Sequence, residues 1–206
     1  MTRMTGLQEL DEAEKTRPPS QMSAQVSVLR YPTPHELYVA MPQIRNLTQL
    51  RPREEEGSLE YLVRLQASGT PEEAVTFAAF AALPRVAVWW GYECLRNLRA
   101  DFSPHDRELL DKVAHWSSSG DQALRYDIMR MALFAERRTA AVMLGLAAGW
   151  SGAQVAPNDP APVPPHRTPR AVNAAVLSAL AQCQLANRPH HLLRVIRLAE
   201  QLFRAY

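Results

Sequence analysis

From residue 28 onward, apolar side chains return every three or four positions, the spacing that lines one face of an α-helix. The pattern predicts a short helix at about 34–41, a second at 58–68, and a third at 71–82 with Phe77, Phe80 and Ala81 on one face. A fourth, at 84–98, aligns Val86, Trp90, Cys94 and Leu98, and a fifth, at 104–116, aligns Leu109, Val113 and Trp116. The sixth, at about 121–136, aligns Leu124, Ile128, Met131 and Ala135. The seventh, at 138–149, is apolar all round and is therefore expected at the centre. The eighth, at 170–186, aligns Val172, Ala175, Val176, Ala179, Leu180 and Cys183; the ninth, at 189–205, aligns Leu192, Val195, Ile196, Ala199, Leu202 and Phe203. Only Gln25–Tyr31 alternates in a way that suits a strand, and no repeat of fixed period is present. The expected fold class is all-α: one compact irregular bundle or short solenoid of about eight or nine helices over residues 28–206, behind a polar, aperiodic tail at 1–27 that is expected to be disordered.

Proline marks the helix starts. Ser or Thr followed by Pro occurs at Thr33-Pro34, Thr70-Pro71, Ser103-Pro104 and Thr168-Pro169. The hydroxyl can cap a free backbone N–H, and proline suits the first helical position because its missing N–H is not needed there. Glu36, Glu73 and Asp106 stand where a capping box places its acid. Pro84 and Pro189 are read as helix starts of the same kind. The stretch 151–169 breaks the pattern: its six prolines predict an extended, polyproline-like strap joining the seventh and eighth helices.

Adjacent tryptophans at 89 and 90 raise a geometric problem. Neighbouring helical residues point about 100° apart, so both indoles cannot enter one core. Trp90 shares the apolar face, whereas Trp89 lies with Tyr92, Glu93 and Arg96. Three placements remain open for Trp89: packed under a second helix, covered by the proline strap, or exposed as an anchor for a partner. An intramolecular contact is expected, with a partner surface on the rim that it fixes.

Composition narrows the chemistry. The net charge of +2 does not by itself point to nucleic acid, and 21 of the 23 basic residues are arginine. The start carries acids where a signal peptide needs an apolar core, and no apolar run is long enough to span a membrane, so a cytoplasmic location is expected. Cys94 and Cys183 are far apart and are read as reduced, buried thiols.

The segments Phe77–Arg96, Gly149–Pro165 and Arg167–Leu180, with Trp116 ending a helix between the first two, resemble an uncharacterised family of small helical bacterial proteins met in proteobacterial gene clusters for type VI secretion. The resemblance covers about residues 71–186. It implies a setting beside a contractile secretion system, and it brings no catalytic residues.

No nucleophile turn, phosphate loop, zinc-protease helix or dinucleotide fingerprint occurs, and no cofactor is expected. Cys94 lies on a core face. His105, His115, His166, His190 and His191 do not have the paired spacing of a zinc site, so no metal is expected. Arg53–Gly57 reads as a solvated acidic loop. The last helix carries Arg194, Arg197 and Arg204 on one stripe, which suits either solvent or an anionic partner. The expected function is non-catalytic: an adaptor, chaperone or scaffold that holds a protein partner in an apolar groove with an arginine rim. Its expected contacts are Trp89, Tyr92, Arg96, Trp150, Pro162, Pro164, Pro165, Arg194, Arg197 and Arg204. The alternatives are a small secreted enzyme or toxin, and a nucleic-acid-binding regulator that uses the basic last helix.

Overall fold

The structure, a computed structural model, describes residues 27–98 and 101–204. Apart from Ser27, the expected tail lies outside the described residues. Helices α1 (Pro34–Ala40), α2 (Ser58–Gln66), α3 (Glu73–Ala81), α4 (Pro84–Leu98), α5 (Pro104–Ser119), α6 (Gln122–Leu133), α7 (Ala140–Trp150), α8 (Arg167–Gln182) and α9 (Arg188–Arg204) carry the fold, with 3-10 turns at Pro42–Asn46 and Leu185–Asn187. No strand forms among the described residues, so the chain is an all-α bundle. The strand-like segment makes one bridge, Leu29 with Ala82. Its partner is only the short link between α3 and α4, where Arg30 N–H donates to the Ala81 carbonyl (2.8 Å) and Leu83 N–H to that of Val28 (2.8 Å).

The apolar seventh segment sits in the middle, as its pattern requires. On α7 every residue except Met143 and Trp150 is buried. It packs against α8, α6, α5 and α4, while α3 and α4 cover the other side of α8 and α9 closes over α2, α3 and α4. Helix α3 is buried on all sides, so its expected single face is an understatement. On α6 the expected stripe is rotated: Leu124, Met131 and Ala135 are only half-buried, and the buried line is Arg125, Ile128, Met129 and Ala132. On α9, Leu202 and Phe203 are half-buried where full burial is expected; Phe203 meets Phe77 edge-on at 6.0 Å.

Two of the four Ser/Thr-Pro starts work as expected. The Thr33 hydroxyl accepts from the Glu36 N–H, and Ser103 forms a full capping box with Asp106. At Thr70-Pro71 the helix begins at Glu73, two residues after the expected Pro71. The Glu73 carboxylate accepts from the Gln49 and Leu50 N–H groups at 2.8 and 3.2 Å and from the Thr70 hydroxyl at 2.9 Å, so it ties down the preceding loop. At the fourth site α8 has already started at Arg167, which leaves Thr168 and Pro169 buried inside its first turn. Helix α5 ends on Gly120, whose φ of 71° puts it in the left-handed region that favours glycine.

The proline stretch is not an extended strap. It folds back on itself, with Val163 N–H donating to the Ala153 carbonyl (2.9 Å) and a turn from Ala156 to Asp159 (3.1 Å). The acidic loop is also not wholly solvated. Glu56 is buried, and its carboxylate accepts from Arg64 Nε at 2.6 Å, Arg64 Nη2 at 2.5 Å and the Arg53 N–H at 3.0 Å. Burial pushes this carboxyl up, but these bonds outweigh it and hold it below the usual glutamate value of 4.5. A lowered folded-state pKa stabilises the fold above the ordinary glutamate range, and that contribution is lost as pH falls through the folded value. Glu56→Gln is therefore expected to cost about 2 kcal/mol at neutral pH and to flatten the acid limb of a urea-melt series between about pH 5 and 3. An unchanged acid limb would show that Glu56 adds nothing to it.

Candidate functional site

Trp89 and Trp90 separate as helical geometry demands. Trp90 is core, at 3% exposure, while Trp89 is 41% exposed and stacks on Tyr92 of its own helix, 5.4 Å between ring centroids and 28° between planes. The aromatic partner of Trp89 is therefore on its own helix, one turn away.

The free part of the Trp89 indole lines a groove of about 710 Å³. Its apolar surface comes from Val28, Leu83, Val86, Trp89, Trp116 and Leu202, which belong to four separate parts of the chain. The C-terminal ends of α5 and α7 complete it through Ser117, Gly120, Ser151 and Gly152. Helix C-termini carry partial negative charge and unpaired carbonyls. Here each is answered by a guanidinium. Arg85 donates through Nε to the Ser117 carbonyl and through Nη2 to that of Ser118, both at 2.7 Å. Arg125 donates through Nη1 to the carbonyls of Gly149 and Gln154 and through Nε to Gln122 Oε1 (2.9 Å), and its guanidinium lies 4.4 Å from the Tyr126 ring centroid. Arg85 is exposed and Arg125 is 2% exposed. Among the described residues neither has a carboxylate partner, and no acid lines the groove. The site thus offers an aromatic face, an apolar wall and positive charge that, among the described residues, is met by carbonyls and by no carboxylate.

Of the ten contacts expected from sequence, Trp89 alone lines this groove. Tyr92 supports the indole from one turn away. Arg96 faces solvent and pairs with Glu93 at 3.6 Å. Trp150 is half-buried under the Arg167 guanidinium, 5.6 Å from the ring centroid. Pro162 and Pro165 are exposed and Pro164 half-buried in the folded-back loop. Arg194 donates to Asn97 Oδ1 (3.1 Å), eight residues past Trp89 on α4 and so about 12 Å along the axis. Arg197 and Arg204 are exposed on α9. The arginines of the groove are instead Arg85 and Arg125, which pattern reading overlooks. Arg85 carries one available signal: it is a cation in the first turn of a helix, where the dipole disfavours it.

Two other depressions hold polar groups. One of about 560 Å³ lies where α5 and α7 begin, beside Phe134, which is 83% exposed. Its buried acid, Asp106, accepts from the Ser103 N–H and hydroxyl and from the Thr139 hydroxyl (2.5 Å), bonds that serve the starts of α5 and α7. The other gathers Asp101, Cys183, Asn187 and His191. The Cys183 thiol donates to the Ala179 carbonyl (3.5 Å), and no hydrogen bond joins it to His191 among the described residues. Burial pushes the Cys94 thiol well above its usual value, which suits packing and opposes nucleophilic use. Among the described residues no group of three His, Cys, Asp or Glu is placed to hold a metal, and no helix is long and apolar enough to cross a membrane.

A family model described as a family of unknown function, DUF6931, matches residues 61–203, and the chain belongs to that family. The match begins within α2 and runs into α9, so it takes in all of the groove except Val28. No curated protein and no solved structure matches the chain.

Proposed function

We propose that this member of a family without an assigned activity is a non-catalytic accessory protein of a type VI secretion system, an adaptor, chaperone or scaffold that docks a protein partner in the Trp89 groove. The observation that carries the docking reading is the half-free indole beside an apolar wall and two guanidiniums that, among the described residues, lack carboxylate partners. Tryptophan and arginine are enriched among the residues that dominate binding energy, and a rigid helical setting lowers the ordering cost of binding. The secretion setting rests on the resemblance of Phe77–Arg96 and Gly149–Pro165 described above.

The test is co-purification of the tagged protein from a host that carries its secretion genes. Components of the contractile apparatus or an effector are expected in the eluate. Trp89→Ala should lower their retention about 30-fold, in line with loss of a hot spot worth about 2 kcal/mol. Because Trp89 is already partly in water, the variant should melt close to the wild type. Absence of every secretion component, or full retention by Trp89→Ala, would refute the reading.

A further inference from the structure

We propose that the groove's resident occupant is the chain's own acidic segment, Leu7–Glu14, which a partner must displace. The inference rests on reading the groove as a docking site and adds how that site is regulated. It begins from where the described chain starts. Val28 is part of the groove wall, and its carbonyl is fixed by the Leu83 N–H at 2.8 Å. Residues 1–26 therefore join the fold at the rim of this groove. Glu14 is fourteen residues from Val28, a distance of up to about 45–50 Å when extended, so the tether does not limit access to any part of the groove. A short tether also holds a segment at millimolar effective concentration, enough to populate a contact that is weak in trans.

Charge and apolarity select the segment. Leu7-Gln8-Glu9-Leu10-Asp11-Glu12-Ala13-Glu14 carries four carboxylates, two leucines and no base. The groove offers the complement: the exposed Arg85 with the buried charge of Arg125 behind it, no acid among its described lining residues, and an apolar wall of Leu83, Val86 and Leu202 around the Trp89 face. Arg85 uses Nε and Nη2 for the end of α5, and among the described residues its Nη1 makes no hydrogen bond. In the other acidic run, Glu54–Glu56, Glu56 is held in its own loop by the Arg64 pair and the Arg53 N–H.

The test uses the full chain and acrylamide, a neutral quencher. The quenching constant of Trp89 is taken as the difference between each protein and its Trp89→Phe counterpart. Reversing Glu9, Asp11, Glu12 and Glu14 to lysine should raise that constant about two- to threefold. Raising salt to about 1 M, where screening acts within about 3 Å, should produce the same rise in the unreversed chain. Lys15→Glu with Arg17→Glu should leave it unchanged, because those positions carry the wrong sign. Equal Trp89 quenching in the wild-type and reversed chains would overturn the proposal, and so would equal rises in the two charge variants. Partner retention keeps the two readings apart. Equal quenching with loss of partner in Trp89→Ala removes the resident segment and leaves the docking groove. Protection of Trp89 without any partner leaves the resident segment and removes the docking role.

Discussion

Arg125→Met is expected to destabilise the fold by about 3 kcal/mol, a fall in melting temperature of about 6–12 °C for a chain of this size. Arg125 is a buried cation whose compensation comes from carbonyl oxygens, not a carboxylate: Gly149 at the end of α7 and Gln154 in the folded-back loop. Methionine keeps much of the stem volume but leaves both carbonyls without this donor, and Gln122 Oε1 loses its bond as well. Charged hydrogen bonds of this kind contribute about 1.5–3 kcal/mol each, and relief from burying a charge offsets part of the loss. Urea denaturation should show a lower midpoint with an unchanged slope, and amide exchange should quicken at Ala153–Val163. A midpoint within about 0.5 kcal/mol of the wild type would mean that the loop holds itself.

Gly149→Ala is expected to cost about 2–3 kcal/mol, at the same junction but by a different mechanism. A Cβ on Gly149 would stand 2.7 Å from Met129 Cβ and 2.8 Å from its Cγ. The end of Met129 can swing away, but its Cβ is fixed to the α6 backbone, so α6 and α7 must separate. Met129→Gly, which removes that Cβ, should recover part of the loss when combined with Gly149→Ala, which denaturation of the two single variants and the double variant would measure. If the double variant loses the sum of both single costs, the close approach of α6 and α7 is not what Gly149 serves.

Both expectations concern features that periodicity cannot reveal. Helix α4 was legible from end to end: Pro84 suits the first position, fifteen residues sustain one apolar stripe, and the observed element is Pro84–Leu98. The centrality of α7 was equally legible, because a helix with no polar face has nowhere else to go. On α6 the stripe drawn through Leu124, Ile128, Met131 and Ala135 differs from the buried line because periodicity counts apolar positions alone. Arg125 in fact continues the buried line of Ile128, Met129 and Ala132, and only the carbonyls of a distant helix end make that burial tolerable. Thr168 misled for a local reason: the chain already turns at Pro164–Arg167, so α8 starts before the Thr-Pro pair.

The groove was legible only at Trp89. Val28, Arg85, Trp116, Gly152 and Leu202 are scattered over most of the sequence and meet only after α4, α5, α7 and α9 have packed. A stripe such as Arg194, Arg197 and Arg204 is visible because it lies on one helix. A wall drawn from several helix ends has no period, and tertiary contacts alone bring it together.

The central claim is that the protein holds a partner through this groove and not through the arginine stripe of α9. Amide hydrogen exchange of the protein, alone and with its co-purified secretion partner, tests it most directly. Slower exchange is predicted at residues 83–92, 116–125 and 151–154, with little change along 188–201. Slowing confined to 188–204, or to the 101–106 and 134–139 segments around Phe134, would contradict it.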